Sequence, residues 1–191
     1  MRNKTKITLI ISLSAMMIAL QLVFERYLSI TIGTSFRIGT TFIARAITGM
    51  CLNLALCGFC SLTADVLGAF IFWGGQVNPI ISLAACIRGL IFGYLFKGKK
   101  PGIVLTFLTV IADQIICGGV ITTIGLIIFG GSPNTLEFWG LRFLQSAGLA
   151  AIELPILLLA IRYVFPRIRS FLNSNGFYDN DKKEDSASDN R

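Results

Sequence analysis

A chain of 191 residues with 54% apolar letters, a mean hydropathy of +0.73 and only 14% charged residues is too apolar for a soluble domain. Its formal charge of +7 comes from Lys and Arg gathered between apolar runs, where they orient helices; they do not mark a nucleic-acid surface. Histidine is absent, which excludes imidazole metal sites, histidine general bases and the histidine boxes of membrane oxidases.

With lipid as the solvent, backbone groups must be satisfied within the chain, and apolar runs without strict alternation indicate helices and exclude a barrel. The runs predict an all-α, polytopic six-helix bundle with spans at 7–24, 36–56, 58–72, 79–96, 103–129 and 138–165. The first span follows Arg2, Lys4 and Lys6, yet its apolar core outlasts a signal-peptide core and no small-residue cleavage site follows. Residues 1–172 therefore form one membrane domain. Residues 173–191, polar and without periodicity, read as a disordered cytoplasmic tail.

Orientation follows from three basic clusters: Arg2, Lys4 and Lys6; Lys97, Lys99 and Lys100; Arg167 and Arg169. Six spans put all three on one side, so both termini are expected in the cytoplasm of a multi-pass protein of the bacterial cell membrane. Residues 25–35, 73–78 and 130–137 are then the outer connections, the last two rich in Gly, Pro, Asn and Ser.

In the first span Ala15 and Ala19, four residues apart with Ser12 nearby, make a smooth strip on which another helix can lie, within the bundle or on a partner protein. Arg45, Asp65, Arg88 and Asp113 lie roughly 10 to 15 Å into spans two to five, where a charge costs on the order of 2.5 to 3.5 kcal/mol. They either pair with one another or line a watery pocket for a charged solute. Gly89 with Gly93, and Ala64 with Gly68, are spaced for close helix packing. Residues 93–100 nearly spell a phosphate-binding loop, but Lys stands where Ser or Thr must hold magnesium and no strand precedes it.

Five cysteines, an odd number and all in apolar stretches, are expected to be packing residues, including the C-x-x-C of Cys57 and Cys60. Near the outer face Arg26, Arg37, Gln76, Asn78, Trp139, Arg142 and Gln145, with Phe36, Phe72 and Phe138, suit an anionic aromatic ligand; each alone serves equally as an interfacial anchor. The sixth span places Arg142, Gln145 and Glu153 on one face. No nucleotide motif, cofactor motif, metal site or nucleophile constellation is present, which argues against an enzyme and places any energy source on another polypeptide.

The segments Arg26 to Ile30, Phe36-Arg37-Ile38-Gly39, Phe42-Ile43, Gly49-Met50 and Ala64 to Ala69 carry a resemblance, with Arg88-Gly89-Leu90-Ile91-Phe92-Gly93, Thr123 and Phe129-Gly130. They resemble the S components of energy-coupling factor (ECF) transporters, closest to the folate-specific branch, over about residues 8 to 168. The resemblance implies a subunit that captures folate or a related pterin from outside and associates with a shared transmembrane subunit and two ATPases. It matches Ala15 and Ala19 to the alanine pair that contacts the coupling helices. Arg26, Arg37 or Arg142 would take the glutamate carboxylates, Asp65 the aminopterin edge, and Phe36, Phe72 or Trp139 the ring faces, with Gln76, Asn78 and Arg88 completing the site. The chain departs from the branch at Arg45 and Asp113, where apolar residues are usual, and at residues 73–78. A compensating Arg45–Asp113 pair is expected. The changed loop leaves open another vitamin such as pantothenate, and a stand-alone secondary transporter is the alternative to a binding subunit.

Overall fold

The computed structural model describes residues 2–26, 30–32, 36–72, 77–96, 102–129, 131, 134–167 and 170. In chain order these form helix α1 (Arg2–Arg26), a short hairpin of β1 (Ile30–Ile32) and β2 (Phe36–Ile38), then α2 (Thr41–Cys51), α3 (Leu54–Phe72) and α4 (Pro79–Phe96). Next come α5 (Ile103–Ile111), a π-helical segment (Ala112–Ile121) and α6 (Thr122–Phe129), which run on as a single span, and finally α7 (Leu136–Tyr163). Five of these spans are long and apolar enough to cross a bilayer, and the protein is a multi-pass membrane helical bundle. The tail at 173–191 and the basic loop at 97–100 lie outside the described residues.

The second expected span needs correction. In place of one helix over 36–56 there are strand β2, the 11-residue α2 and the first residues of α3. At 1.5 Å per residue α2 is roughly 16 Å long, about half the thickness of the hydrocarbon. Its far end closes when the Leu52 N–H donates to the Thr48 carbonyl, and Leu52 turns extended (φ −117°, ψ 160°), so that α3 starts afresh at Leu54. The hairpin pairs Ile30 with Ile38, Thr31 with Arg37 and Ile32 with Phe36, antiparallel, in letters whose β-branching favours strand. Its second strand falls within the apolar run that reads as helix.

The bundle is apolar outside and partly polar within. Ile7, Ile11, Met16, Phe59, Phe70 and Leu144 are exposed, as lipid-facing side chains are, whereas Gln21, Thr106, Thr109, Asp113, Gln114 and Glu153 are buried. Helices α2, α3 and α4 meet backbone to backbone. A Cβ on Gly89 would stand 2.5 Å from the Cys57 carbonyl oxygen, one on Gly93 3.0 Å from Cys57 Cβ, and one on Gly49 2.7 Å from the Phe92 carbonyl oxygen. Gly93 therefore serves helix packing and not a phosphate loop. Ala64 is buried, and Gly68 faces Leu22 of α1. All five cysteines are free thiols, and Cys57 donates to the Thr48 carbonyl.

One end of the bundle is sealed by an aromatic core. Phe92 stacks on Phe96 with centroids 5.8 Å apart, Phe165 meets Phe96 edge-on, and Phe42, Met50, Val110 and Leu157 pack around them. Between α1 and α2, Gln21 donates to Thr48 Oγ1 at 3.1 Å, and that hydroxyl donates in turn to the Ala44 carbonyl. A buried glutamine in the first span is thereby satisfied without water, as a polar group inside a membrane bundle must be.

Candidate functional site

Because α2 begins only at Thr41, its first turn ends inside the bundle, and a cavity of about 200 Å³ opens beside it. Thr41, Phe42 and Arg45 project into it from α2, and Arg88 from α4. On α7 the lining residues Arg142, Gln145, Ser146, Leu149 and Glu153 recur at helical spacing, so one stripe of the helix forms a whole wall. A neighbouring wall comes from Gln114, Gly118 and Thr122 on the π-helical segment and the start of α6.

The π segment is where this wall is made. Its wider i→i+5 turns leave room for the Thr122 hydroxyl to donate to the Cys117 carbonyl at 2.6 Å, and such segments recur at functional sites. Gly118 keeps the wall open, since a Cβ there would meet Gln114 Oε1 at 3.0 Å, Ser146 Oγ at 3.3 Å and Arg88 Nη2 at 3.5 Å. Three groups from three elements thus converge within reach of one missing side chain.

Behind the cavity Arg88 Nε lies 3.4 Å from Asp113 Oδ1, with Asp113 only 1% exposed. Neither atom has a hydrogen-bond partner, so the attraction is coulombic and the contact leaves both groups with bonding capacity. Asp113 therefore engages Arg88. The expected Arg45–Asp113 pair is not formed: the two are beyond ion-pairing distance, because Asp113 projects from the π segment toward α4. Arg45 has no carboxylate within that distance among the described residues, and its buried Nε has no hydrogen-bond partner. Arg142 is likewise without an acidic partner there; it donates to Gln145 Oε1 at 3.3 Å and lies 5.4 Å over the Phe138 ring. Glu25 and Glu153 line the same cavity.

Of the sequence-predicted site residues, Arg88 and Arg142 meet in this cavity. Asp65 does not line it: its Oδ2 accepts from the Ser82 hydroxyl at 2.7 Å, joining α3 to α4. Asn78 caps α4, its Oδ1 accepting from the N–H groups of Ile80 and Ile81 while its Nδ2 donates to the Gly125 carbonyl at 2.9 Å. Trp139 donates to Asn134 Oδ1 and stacks on Phe143, and Phe72 is 45% exposed; neither lines the cavity. Arg26, Phe36 and Arg37 are described in backbone only, and Gln76 lies outside the described residues. Ala15 and Ala19 are exposed on one face of α1.

No family model matches the chain. The folate transporter FolT of Clostridium novyi (strain NT) is 36% identical to it over 124 residues, which cover 65% of this chain and 72% of that protein. The chain belongs to the FolT family. A crystal structure of FolT bound with folic acid shares its fold, with a TM-score of 0.70 over 81% of this chain and 90% of that one, at 24% identity. The resemblance to the folate-specific branch is thereby shown, and the family is one of transporters, not of enzymes.

Within this FolT-family chain the intramembrane charges that depart from the branch, Arg45 and Asp113, belong to one cluster with Arg88 although they do not pair with each other. Gln114, Ser146, Thr41 and Gly118 were not singled out by sequence reasoning. The available signal was spacing: Ser146 falls four residues after Arg142, and Gln114 directly follows Asp113. Uncharged, they carry no insertion penalty large enough to stand out.

Proposed function

We propose that this chain is the substrate-capturing S component of an ECF-type importer and takes folate or a related pterin. The observation that carries the reading is the meeting of three guanidinium groups and two glutamates in one cavity inside a membrane bundle. Folate presents carboxylates at one end, which guanidinium groups grip, and a heterocycle rich in N–H donors at the other, which carboxylates accept. Membership of the FolT family supports the same ligand. In this reading the protein lies in the bacterial cell membrane with both termini in the cytoplasm, receives folate from outside, and hands it on through a transmembrane coupling subunit driven by two ATPases.

The exposed strip of Ala15 and Ala19 on α1 supports docking of that subunit, since small residues let a second helix approach closely in lipid. The decisive experiment is purification in detergent, mass spectrometry of any co-purified small molecule, and titration with folic acid and with pantothenate. Saturable binding of folic acid by the lone chain is expected, together with no accumulation in vesicles lacking the ATPase partners. A chain that binds no folate, or that concentrates it unaided down an ion gradient, overturns the proposal.

A further inference from the structure

Three buried side-chain atoms on residues lining the cavity have no hydrogen-bond partner. One, Arg88 Nε, lies 3.4 Å from Asp113 Oδ1, and the other two have no charge partner within ion-pairing distance among the described residues. Arg45 Nε is a buried donor without an acceptor, and Glu153 Oε2, on a side chain 6% exposed, is a buried acceptor without a donor. Buried groups left without a partner cost free energy in any protein interior and more so within a bilayer, so they point to something that completes them. They line one cavity from α2 and α7, yet stand beyond ion-pairing distance of each other. A gap with a donor on one side and an acceptor on the other is complementary to a ligand edge that carries an acceptor and a donor together. A carboxylate does not fit, because it offers acceptors to Arg45 but no donor to Glu153. An alkyl group leaves both atoms unmet.

We infer that Arg45 and Glu153 read the edge of a 2-amino-4-oxo heterocycle, Arg45 donating to the 4-oxo oxygen and Glu153 accepting from the ring N–H and the 2-amino group. The inference rests on the folate reading and adds to it the residues that set specificity. Arg88 is held toward Asp113 at 3.4 Å, whereas Arg45 has no carboxylate within ion-pairing distance among the described residues. Arg142 stands roughly 16 Å along α7 from Glu153 and is left for the opposite end of the ligand. Gly118, with no side chain, lets Gln114, Ser146 and Arg88 approach one another on the same wall.

The test crosses ligand changes with residue changes. The purified chain is titrated with folic acid, with its 2-desamino analogue and with its 4-amino analogue, and the titrations are repeated on Glu153→Leu and Arg45→Met. In the wild type each ligand change is expected to weaken binding roughly tenfold or more. Loss of the 2-amino group should leave Glu153→Leu almost unaffected. Exchange of the 4-oxo group for an amino group also removes the ring N–H, so it should cost Arg45→Met less than wild type and leave the Arg45→Met/Glu153→Leu double variant almost unaffected. Equal fold losses in wild type and variant overturn the inference. Should either variant fail to run as a single monodisperse species, Glu153→Met and Arg45→Leu, which likewise lack the acceptor and the donor, carry the same comparison. A wild type that binds folic acid but is indifferent to both edge changes sinks this inference alone. A wild type that binds no folic acid sinks the folate reading and this inference with it.

Discussion

Arg88 of α4 and Asp113 of the π-helical segment face each other at 3.4 Å, and the acid is 1% exposed. Removing one partner of such a pair strands a buried charge, at roughly 3 to 5 kcal/mol, and the 22% exposure of Arg88 puts this case toward the lower end. Replacing both by apolar residues of similar size strands nothing. Asp113→Leu and Arg88→Met singly are therefore expected to lower the melting temperature in detergent more than the double variant does. By contrast Arg45→Met and Asp113→Leu, which do not touch, should combine almost additively, and a strong coupling between them would contradict the geometry.

Gly118 tests whether the cavity is the site. Its absent Cβ leaves room 3.0 Å from Gln114 Oε1 and 3.5 Å from Arg88 Nη2. Gly118→Ala should weaken ligand binding modestly, because Gln114 can swing aside, and Gly118→Leu should abolish it. Thermal stability should fall only slightly in Gly118→Ala, where Gln114 and Ser146 need give by a few tenths of an ångström, and further in Gly118→Leu, whose added atoms must displace them. Unchanged folic acid affinity in Gly118→Leu would move the site elsewhere.

The spans and the charged residues were legible in the sequence; their rotation about the helix axes was not. The boundaries of α4 and of the 103–129 span follow from apolar runs closed by Pro79 at one and Gly102 at the other. The run over 36–56 hid a strand, a half-length helix and a break, because an unbroken apolar stretch looks the same in each. Of the four charges expected at similar depth, Arg45, Arg88 and Asp113 fall in one cluster, whereas Asp65 accepts from Ser82 away from the cavity. Pairing depends on the azimuth of each side chain, and the π turns at 112–121 shift that azimuth in a way no apolar count reveals. Hence Arg88, and not Arg45, faces Asp113.

Asn78 separates structural from ligand-binding residues. Asparagine followed by proline is an N-cap with a preorganised first helical residue, and here the cap also ties α4 to α6 through the Gly125 carbonyl. Asn78→Ala is expected to cost about 1 to 2 kcal/mol of stability, read as a fall in melting temperature. Affinity for folic acid at low temperature should hold within about twofold, a shift of less than 0.5 kcal/mol. A large affinity loss with unchanged stability would return Asn78 to the ligand.

Close packing of α3 on α4 makes Gly89 intolerant of any side chain. The nearest atom to its missing Cβ is the Cys57 carbonyl oxygen at 2.5 Å, which is backbone and cannot turn away, with Ser61 Oγ at 2.6 Å. Gly89→Ala must therefore push the two helices apart, at roughly 1 to 3 kcal/mol, and displaces Arg88 beside it. The expected result is a less stable protein with weaker folic acid binding, measured by melting and titration on the same preparation. Wild-type stability in Gly89→Ala would mean that the helices stand farther apart than described.

Ala15 and Ala19 sit on α1, of which little beyond Met17 and Gln21 is buried, so a bulky residue there meets lipid and not the bundle. Ala15→Trp and Ala19→Trp are accordingly expected to leave both melting temperature and folic acid affinity near wild type. If this face receives the coupling subunit, a tryptophan there holds the two helices apart and removes the close contact on which association in lipid depends. Co-purification with the transmembrane subunit and its two ATPases should fall steeply, and folate uptake by the reconstituted complex should fall with it. Uptake that survives both substitutions would place the coupling surface on another face of the bundle. Lost affinity in the lone chain would instead show that α1 packs more tightly on the cavity wall than its exposure indicates.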